Sequence, residues 1–302
     1  MNGIIIINKP QDMTSHDVIS FMRRKTGIKR IGHSGTLDPM ATGVLPIFIG
    51  KATRVIQFAS EENSNTAKLY RCTMKLGCKS DTQDIWGDVL YGDHVVMPTK
   101  AAIVATLNSF VGEITQIPPA YSAIKVDGKK LYEYARKGQV VPEDKIKIRK
   151  VNINAITIND IDIENKEVYF DVESSKGLYV RTLCADVGEK LGCGALMSGL
   201  ERLKSDGFDI RDSYTIEELR TEDCLLPELL PIDYPLNHLT RVDLTPEDAA
   251  LFMNGISISI GENVNRMPTQ NQYIRVYSEN CFIGIAEFYE GMVKPYKVFK
   301  DF

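Results

Sequence analysis

The chain of 302 residues has little with which to hold a metal ion or cross a membrane. It contains four histidines, one tryptophan and six cysteines. The cysteines (Cys72, Cys78, Cys184, Cys193, Cys224 and Cys281) are scattered, with no C-x-x-C pair. That argues against a zinc site and fits a reducing compartment, the cytoplasm. The longest apolar runs, such as Gly3 to Ile7, are far too short to span a bilayer. No basic segment leads into an apolar one at the amino terminus, so no signal peptide is expected. A glycine-rich nucleotide loop is also missing. What remains is ordinary: 43% hydrophobic and 25% charged residues, enough for one large domain or two unequal ones around a substantial core.

The sequence also lacks an excess of positive charge. Its net charge is −4, whereas a nucleic-acid binder usually carries a basic footprint. Distribution matters more than the sum. Between Tyr121 and Lys150 there are nine Lys or Arg against four Asp or Glu. A second cluster, Arg23, Arg24, Lys25, Lys29 and Arg30, lies just before the stretch around which the chain is organised. Two clusters of this kind suit a surface that tracks phosphates.

That stretch runs from Gly32 to Ile47. Its first half, Gly32-His-Ser-Gly-Thr-Leu-Asp-Pro, is too polar and glycine-rich for a core element and reads as a tightly shaped loop. Pro39 pushes the preceding Asp38 towards an extended backbone. Gly43 to Ile49 is apolar and β-branched, the pattern of a buried strand. A carboxylate on a restrained loop feeding a rigid strand is a common way to present a catalytic group.

Around it, Gly3 to Ile7 reads as a short buried strand. Thr14 caps a helix with Asp17 three residues on, Val18, Ile19 and Met22 face the core, and Gly27 stops it. Leu69 to Leu76 reads as a strand with Tyr70, Cys72, Met74 and Leu76 on one face, followed by a polar loop from Gly77 to Gly87. Lys100 to Phe110 is expected to be helical. Gln116 to Lys150 interleaves tyrosines with Lys and Arg, which suits backbone contacts and base stacking. Ile146 to Ile158 and Glu167 to Glu173 alternate as antiparallel strands. Gly177 to Leu183 reads as a third, with Tyr179 and Arg181 on one face, and Ala185 to Leu191 as a helix. Pro227, Pro231 and Pro235 punctuate Leu225 to Leu239, an expected linker. Beyond it come a helix capped by Thr245, a hairpin over Ser-Glu-Asn, and a strand from Val293 to Phe299. No βαβ crossover is apparent, so the fold class is α+β around a central, mainly antiparallel sheet, with a small mainly-β C-terminal domain. The expected boundaries are 1–238 and 239–302.

Gly32 to Ile47 resembles the motif carrying the catalytic aspartate in the TruB-type tRNA pseudouridine synthases. Four further segments match that family in order: Asn8-Lys9-Pro10 with Met13-Thr14-Ser15; Lys68-Leu-Tyr70-Arg71; Ser175 to Thr182; and Gly192 to Leu203. The resemblance covers essentially the whole chain. It implies an isomerase that breaks the N1–C1′ bond of a tRNA T-loop uridine (position 55), turns the base, and joins C5 to C1′, with no cofactor or metal. By resemblance Asp38 acts at the sugar, as nucleophile at C1′ or as base at C2′. Either role needs an ionised carboxylate, for which Arg181 is the natural counter-ion. Tyr70 stacks the extruded uracil. Tyr179 and Leu200 contact the base, and His33 helps fill the gap that the flipped base leaves. Lys9 and Asp84 read as scaffold. The segment 116–150 resembles an insertion that grips folded RNA, with Lys129, Lys130, Arg136 and Lys137 as backbone contacts. The tail resembles a PUA-type RNA-binding module. The expected partner is the T stem-loop of tRNA, with no membrane and no obligatory protein partner. Two rivals stand beside this reading: a guide-RNA-dependent synthase of ribosomal RNA, and a non-catalytic tRNA-folding chaperone.

Overall fold

The computed structural model describes residues 1–59, 67–92, 94–221, 228–259 and 272–299. Cys224 and Pro227 lie outside them. The apolar N-terminal run forms β1 (Gly3–Lys9), buried on both faces. Ile4 and Ile6 enter one core and Ile5 and Ile7 another. Helix α1 (Ser15–Thr26) begins with the capping box its sequence announces. Thr14 Oγ1 accepts the Asp17 N–H at 3.0 Å, and Asp17 Oδ2 accepts the Thr14 N–H at 2.8 Å. Gly27, at φ 69°, ends it in the left-handed region.

Strands β2 (Ile31–His33) and β3 (Thr42–Ile49) enclose the central loop. A short α2 (Ile56–Ala59) and strand β4 (Lys68–Leu76) follow, and Tyr70, Cys72, Met74 and Leu76 of β4 are buried as the alternation requires. The expected loop after β4 is partly ordered: β5 (Cys78–Ser80) pairs antiparallel with β6 (Val89–Tyr91). Then come α3 (Lys100–Asn108), β7 (Gly112–Gln116), a two-residue pair β8 (Lys125–Val126) and β9 (Lys129–Lys130), and α4 (Leu131–Ala135). Strands β10 (Arg149–Asp162) and β11 (Glu167–Ser174), helix α5 (Val180–Lys190) and strand β12 (Ala195–Ser205) complete the central part. β13 (Phe208–Asp209), β14 (Tyr214–Thr215) and α6 (Ile216–Arg220) close it.

These strands make one sheet in the order β14-β1-β3-β12-β4-β11-β10-β7, with β2 on β3 and β13 on β12. Most pairs are antiparallel; β1–β14 and β3–β12 are parallel. Helices α3 and α5 cover one face over Cys72, Met74 and Phe170. Helix α1 packs on Leu45, Ile47 and Ile49.

The expected strand from Gly177 to Leu183 is a correction: Arg181 is the second residue of α5, not a strand residue. Leu178, Val180 and Thr182 alternate, but Val180, Leu183, Cys184 and Val187 also fall at the i, i+3, i+4, i+7 spacing of a helix face, and all four are buried. Packing of that face against β4 and β12 decides between the two periods. Strand β12, at the centre of the sheet, is not visible in alternation because its bulges break the pattern.

The C-terminal part holds a second sheet. Its elements are β15 (Thr240–Asp243), α7 (Pro246–Met253), β16 (Ile258–Ser259), β17 (Gln272–Ser278), β18 (Cys281–Tyr289) and β19 (Met292–Val298). The β17–β18 turn places Glu279 and Asn280 at φ 49° and 64°, the left-handed pair that a two-residue hairpin demands. From residue 228 on, the expected linker is not loose. Leu230 bridges Ile4, and Leu236 and Leu239 join Tyr277, Phe282 and Phe299 in a core shared with Ile4, Phe48 and Phe58.

Candidate active site

Asp38 sits on the loop between β2 and β3, and that loop is clamped from the N-terminal segment. Lys9 Nζ, on a fully buried side chain, donates to three carbonyls, those of Pro10 (2.8 Å), Met13 (2.7 Å) and Pro39 (3.0 Å). The Asp12 N–H also donates to the Pro39 carbonyl at 3.0 Å. Ser15 Oγ accepts the Leu37 N–H at 2.9 Å. The residues on both sides of Asp38 are thus fixed to the segment from the end of β1 to the start of α1. Burial lowers the Lys9 ammonium to about 8, with Asp38 and Asp12 opposing the fall. Lys9 is scaffold in the sense that it holds the loop's backbone.

The Asp38 carboxylate projects into a cleft of about 650 Å³. Its side chain keeps 38% of its exposure and meets Arg181 Nη2 at 3.0 Å. Arg181 is itself held from four sides: Nη1 also donates to Asp84 Oδ2 (3.3 Å) and the Thr82 carbonyl (3.1 Å), and Nη2 to the Tyr121 carbonyl (3.0 Å). Asp84, fully buried, accepts from Thr82 Oγ1 at 2.7 Å and the Trp86 N–H at 3.1 Å. It orients the guanidinium. Desolvation raises the Asp38 carboxyl above its ordinary value; Arg181 opposes the rise, Asp84 adds to it, and Lys9 weakly opposes it. A preformed guanidinium clamp fixes where the charge sits without quenching it.

Tyr70, Tyr179 and Leu200 line the same cleft. Tyr70 comes from β4 and Leu200 from β12, while Tyr179 immediately precedes α5. Gln116 fixes the Tyr179 peptide by accepting its N–H at 3.0 Å and donating to its carbonyl at 3.2 Å. Tyr70 is buried to 9% exposure, and burial raises its phenol, with Arg202 countering. His33 does not reach the wall; it stands at the end of β2, half-buried, with Nδ1 buried and without a hydrogen-bond partner among the described residues. Burial and the nearby Arg202 lower its pKa. Of the four basic residues read from the insertion, Arg136 reaches the cleft wall. Lys129 and Lys137 are exposed away from it, and Lys130 and Arg136 flank the Tyr132 ring at 5.4 and 5.3 Å.

Two buried basic residues of the cleft are not among the site residues read from the sequence. Arg202 is 1% exposed; its Nε donates to the Val44 carbonyl (2.8 Å) and Nη2 to that of Gly35 (3.1 Å). Lys68 lies beside it, 7% exposed, with Asp206 at 3.9 Å. Both were quoted inside matched motifs, but their convergence depends on strand register: Arg202 faces Gly43 on one side and Tyr70 on the other.

Comparison with solved structures gives the same architecture. The chain superposes on one from an H/ACA RNP bound to a substrate RNA containing 2′-deoxyuridine, with a TM-score of 0.73 at 22% identity, covering 99% of this chain and 85% of that one. A chain of a Cbf5–Nop10–Gar1 complex gives 0.72 at 24%, covering 98% and 84%. At such identity these matches speak for the fold. Family models carry the rest. Residues 23–180 match the N-terminal domain of the TruB family pseudouridylate synthases, 181–237 the tRNA pseudouridylate synthase B C-terminal domain, and 240–299 the C-terminal part of pseudouridine synthase II TruB. Fold, cleft and models together define a pseudouridine synthase, an isomerase. More narrowly, the chain belongs to the TruB family of pseudouridylate synthases. It is 44% identical over 287 residues to the tRNA pseudouridine synthase B of Alkaliphilus oremlandii, covering 95% of this chain and 93% of that protein. The protein of the same name from Clostridioides difficile is 43% identical over 291 residues, covering 95% and 94%. Among the described residues no helix is long and apolar enough to cross a membrane.

Proposed function

We propose that this chain converts the T-loop uridine (position 55) of tRNA to pseudouridine in the cytoplasm, without a guide RNA or an obligatory protein partner. The observation that carries the proposal is the Asp38–Arg181 pair at 3.0 Å, in a cleft lined by Tyr70, Tyr179 and Leu200. Residues 1–238 act as the catalytic domain, with 116–150 as the RNA-gripping insertion, and 239–302 as a PUA-like RNA-binding domain. The uridine leaves its stack and enters the cleft. Tyr70 supplies a flat platform for the extruded base. Asp38, ionised and held by Arg181, acts at the ribose, as nucleophile at C1′ or as base at C2′. The N1–C1′ bond breaks, the uracil turns, C5 bonds to C1′, and the C5 proton departs as N1 gains one. Atoms and electrons balance within substrate and solvent, so the reaction itself requires no redox partner. The direct test is single-turnover incubation with an unmodified tRNA transcript and nothing else. Pseudouridine should form at stoichiometric enzyme; its appearance solely upon addition of a guide RNA would overturn the proposal.

Tyr70 carries its own prediction. Base–aromatic stacking is worth about 1–3 kcal/mol, and Tyr70→Phe keeps the ring while deleting the hydroxyl. The Phe variant should stay near parent activity, and Tyr70→Leu should bind tRNA much more weakly. Equal inactivity of both, with binding unchanged, would make Tyr70 a proton-transfer group instead.

The insertion carries another. Neutralising Lys129, Lys130, Arg136 and Lys137 together should weaken tRNA binding and flatten its salt dependence. Each true phosphate contact contributes roughly 0.7–0.9 to the slope of log affinity against log salt. Parallel salt titrations for parent and variant would show these groups to be a solvated face.

A further inference from the structure

A second cavity, of about 380 Å³, adjoins the cleft and shares Met40, Trp86 and Leu200 with it. Arg71 and Thr73 line it from β4, where they alternate with the buried Tyr70 and Cys72, and Ser198 to Glu201 line it from β12. A register shift between Met197 and Gly199 marks a bulge there, a device that re-aims side chains beside active sites. The lining is polar and of mixed charge. Asp171 holds Arg71 Nε and Nη2 at 3.1 and 3.2 Å, and Glu201 adds a weaker attraction. The Glu201 carboxylate has no hydrogen-bond partner of its own among the described residues. A carboxylate in this place repels a phosphate but accepts readily from an amino group.

Trp86 stands where the two cavities meet. It is the chain's single tryptophan and is 43% exposed. Its backbone is nonetheless fixed. The Trp86 N–H donates to Asp84 Oδ1 at 3.1 Å, while Asp84 Oδ2 holds Arg181 at 3.3 Å. The neighbouring Ile85 N–H donates to the Met197 carbonyl at 2.9 Å, and the Met197 N–H to that of Gln83 at 3.1 Å. A large aromatic surface is thus open to solvent at a point tied both to β12 and to the counter-ion of Asp38. Proteins hold an unstacked base with this combination: an aromatic ring for its face and a hydrogen-bonding group for its edge.

We propose that the second cavity receives the base of a nucleotide next to the uridine in the cleft, stacked on Trp86, with its exocyclic amino group donating to Glu201. Cytosine, adenine and guanine carry such a group and uracil does not. The site makes the choice of target uridine depend on its neighbour. The proposal rests on the reading of the chain as an RNA-uridine isomerase.

The single tryptophan reports on the site without any substitution. Saturating the parent with the T stem-loop should quench its fluorescence, and an abasic nucleotide on one side of the target uridine, 5′ or 3′, should remove most of the quenching. Quenching that survives loss of either neighbouring base, or that vanishes only with the target base, would overturn the site. Affinities come from the enzyme-concentration dependence of single-turnover rates. Trp86→Ala should weaken binding of the ordinary stem-loop about tenfold, the scale of one stacked base, and lose nothing further on the RNA with that abasic neighbour. Trp86→Phe should restore most of the affinity. The parent should bind an RNA with cytosine at the neighbouring position about tenfold more tightly than one with uracil, the scale of a hydrogen bond to a charged group. Glu201→Gln, which offers a donor as well as an acceptor, should narrow that preference. Equal affinities of the parent for the two RNAs, or multiplicative losses from Trp86→Ala and the abasic neighbour, would overturn the site. Pseudouridine formation by the parent on the ordinary stem-loop tests the underlying reading separately.

Discussion

Asp38→Asn should fold, bind tRNA and form no pseudouridine, a loss of more than about a thousandfold in the single-turnover rate. The amide keeps the size and polarity of the side chain but cannot act at the sugar as a carboxylate does. The fold should tolerate it for a structural reason. Without the Asp38 charge, Arg181 still donates to Asp84 and to the carbonyls of Thr82 and Tyr121, so no buried cation is stranded. Removing a desolvated carboxylate also relieves the cost that raises its pKa. Activity above a few per cent, with deamidation excluded by mass spectrometry, would remove Asp38 from its role.

Gly43→Ala should be among the most destabilising single-methyl changes in the chain. Gly43 has φ 100°, and a Cβ there would stand 2.2 Å from the Arg202 carbonyl oxygen and 2.7 Å from its nitrogen. Both obstacles are backbone, so β3 and β12 must separate to admit the methyl. The expected cost is about 3–5 kcal/mol, in the range of the severest point mutations. Gly27→Ala provides the control. Gly27 is also left-handed, at φ 69°, but nothing lies within 4 Å of its Cβ position. It should cost about 1–2 kcal/mol, the conformational term alone. Urea-unfolding midpoints of the two variants compare them; equal shifts would mean that the β3–β12 approach is not tight. Gly43→Ala should also lose activity, because the strand it separates is joined directly to the Asp38 loop.

The parts of this fold that could be read in advance are those whose causes are local. The capping box of Thr14 and Asp17, the stop at Gly27, the helix capped by Thr245 and the hairpin over Glu279-Asn280 are each written within a few residues. The alternation of β4 was equally plain, since its sheet has a single covered face there. Where two periods coincide, local signals fail: the residues around Arg181 satisfy both, and packing against β4 and β12 makes them helical. The site divides along the same line. Asp38 announces itself through Pro39 and the glycines around it. The three carbonyls that bind Lys9, and the meeting of Lys68 with Arg202, depend on which strands lie side by side. That choice is made by the whole sheet. His33, read as filling the gap that the flipped base leaves, stands at the end of β2, where the loop begins.

The central claim is that this cleft isomerises one particular uridine. The most direct measurement is nucleotide-resolution mapping of pseudouridine in an unmodified tRNA transcript after incubation with the parent enzyme, beside Asp38→Asn as control. Conversion confined to the T-loop uridine at position 55, absent in the control, is the result expected. Conversion at another uridine, or equal conversion in the control, would contradict the account.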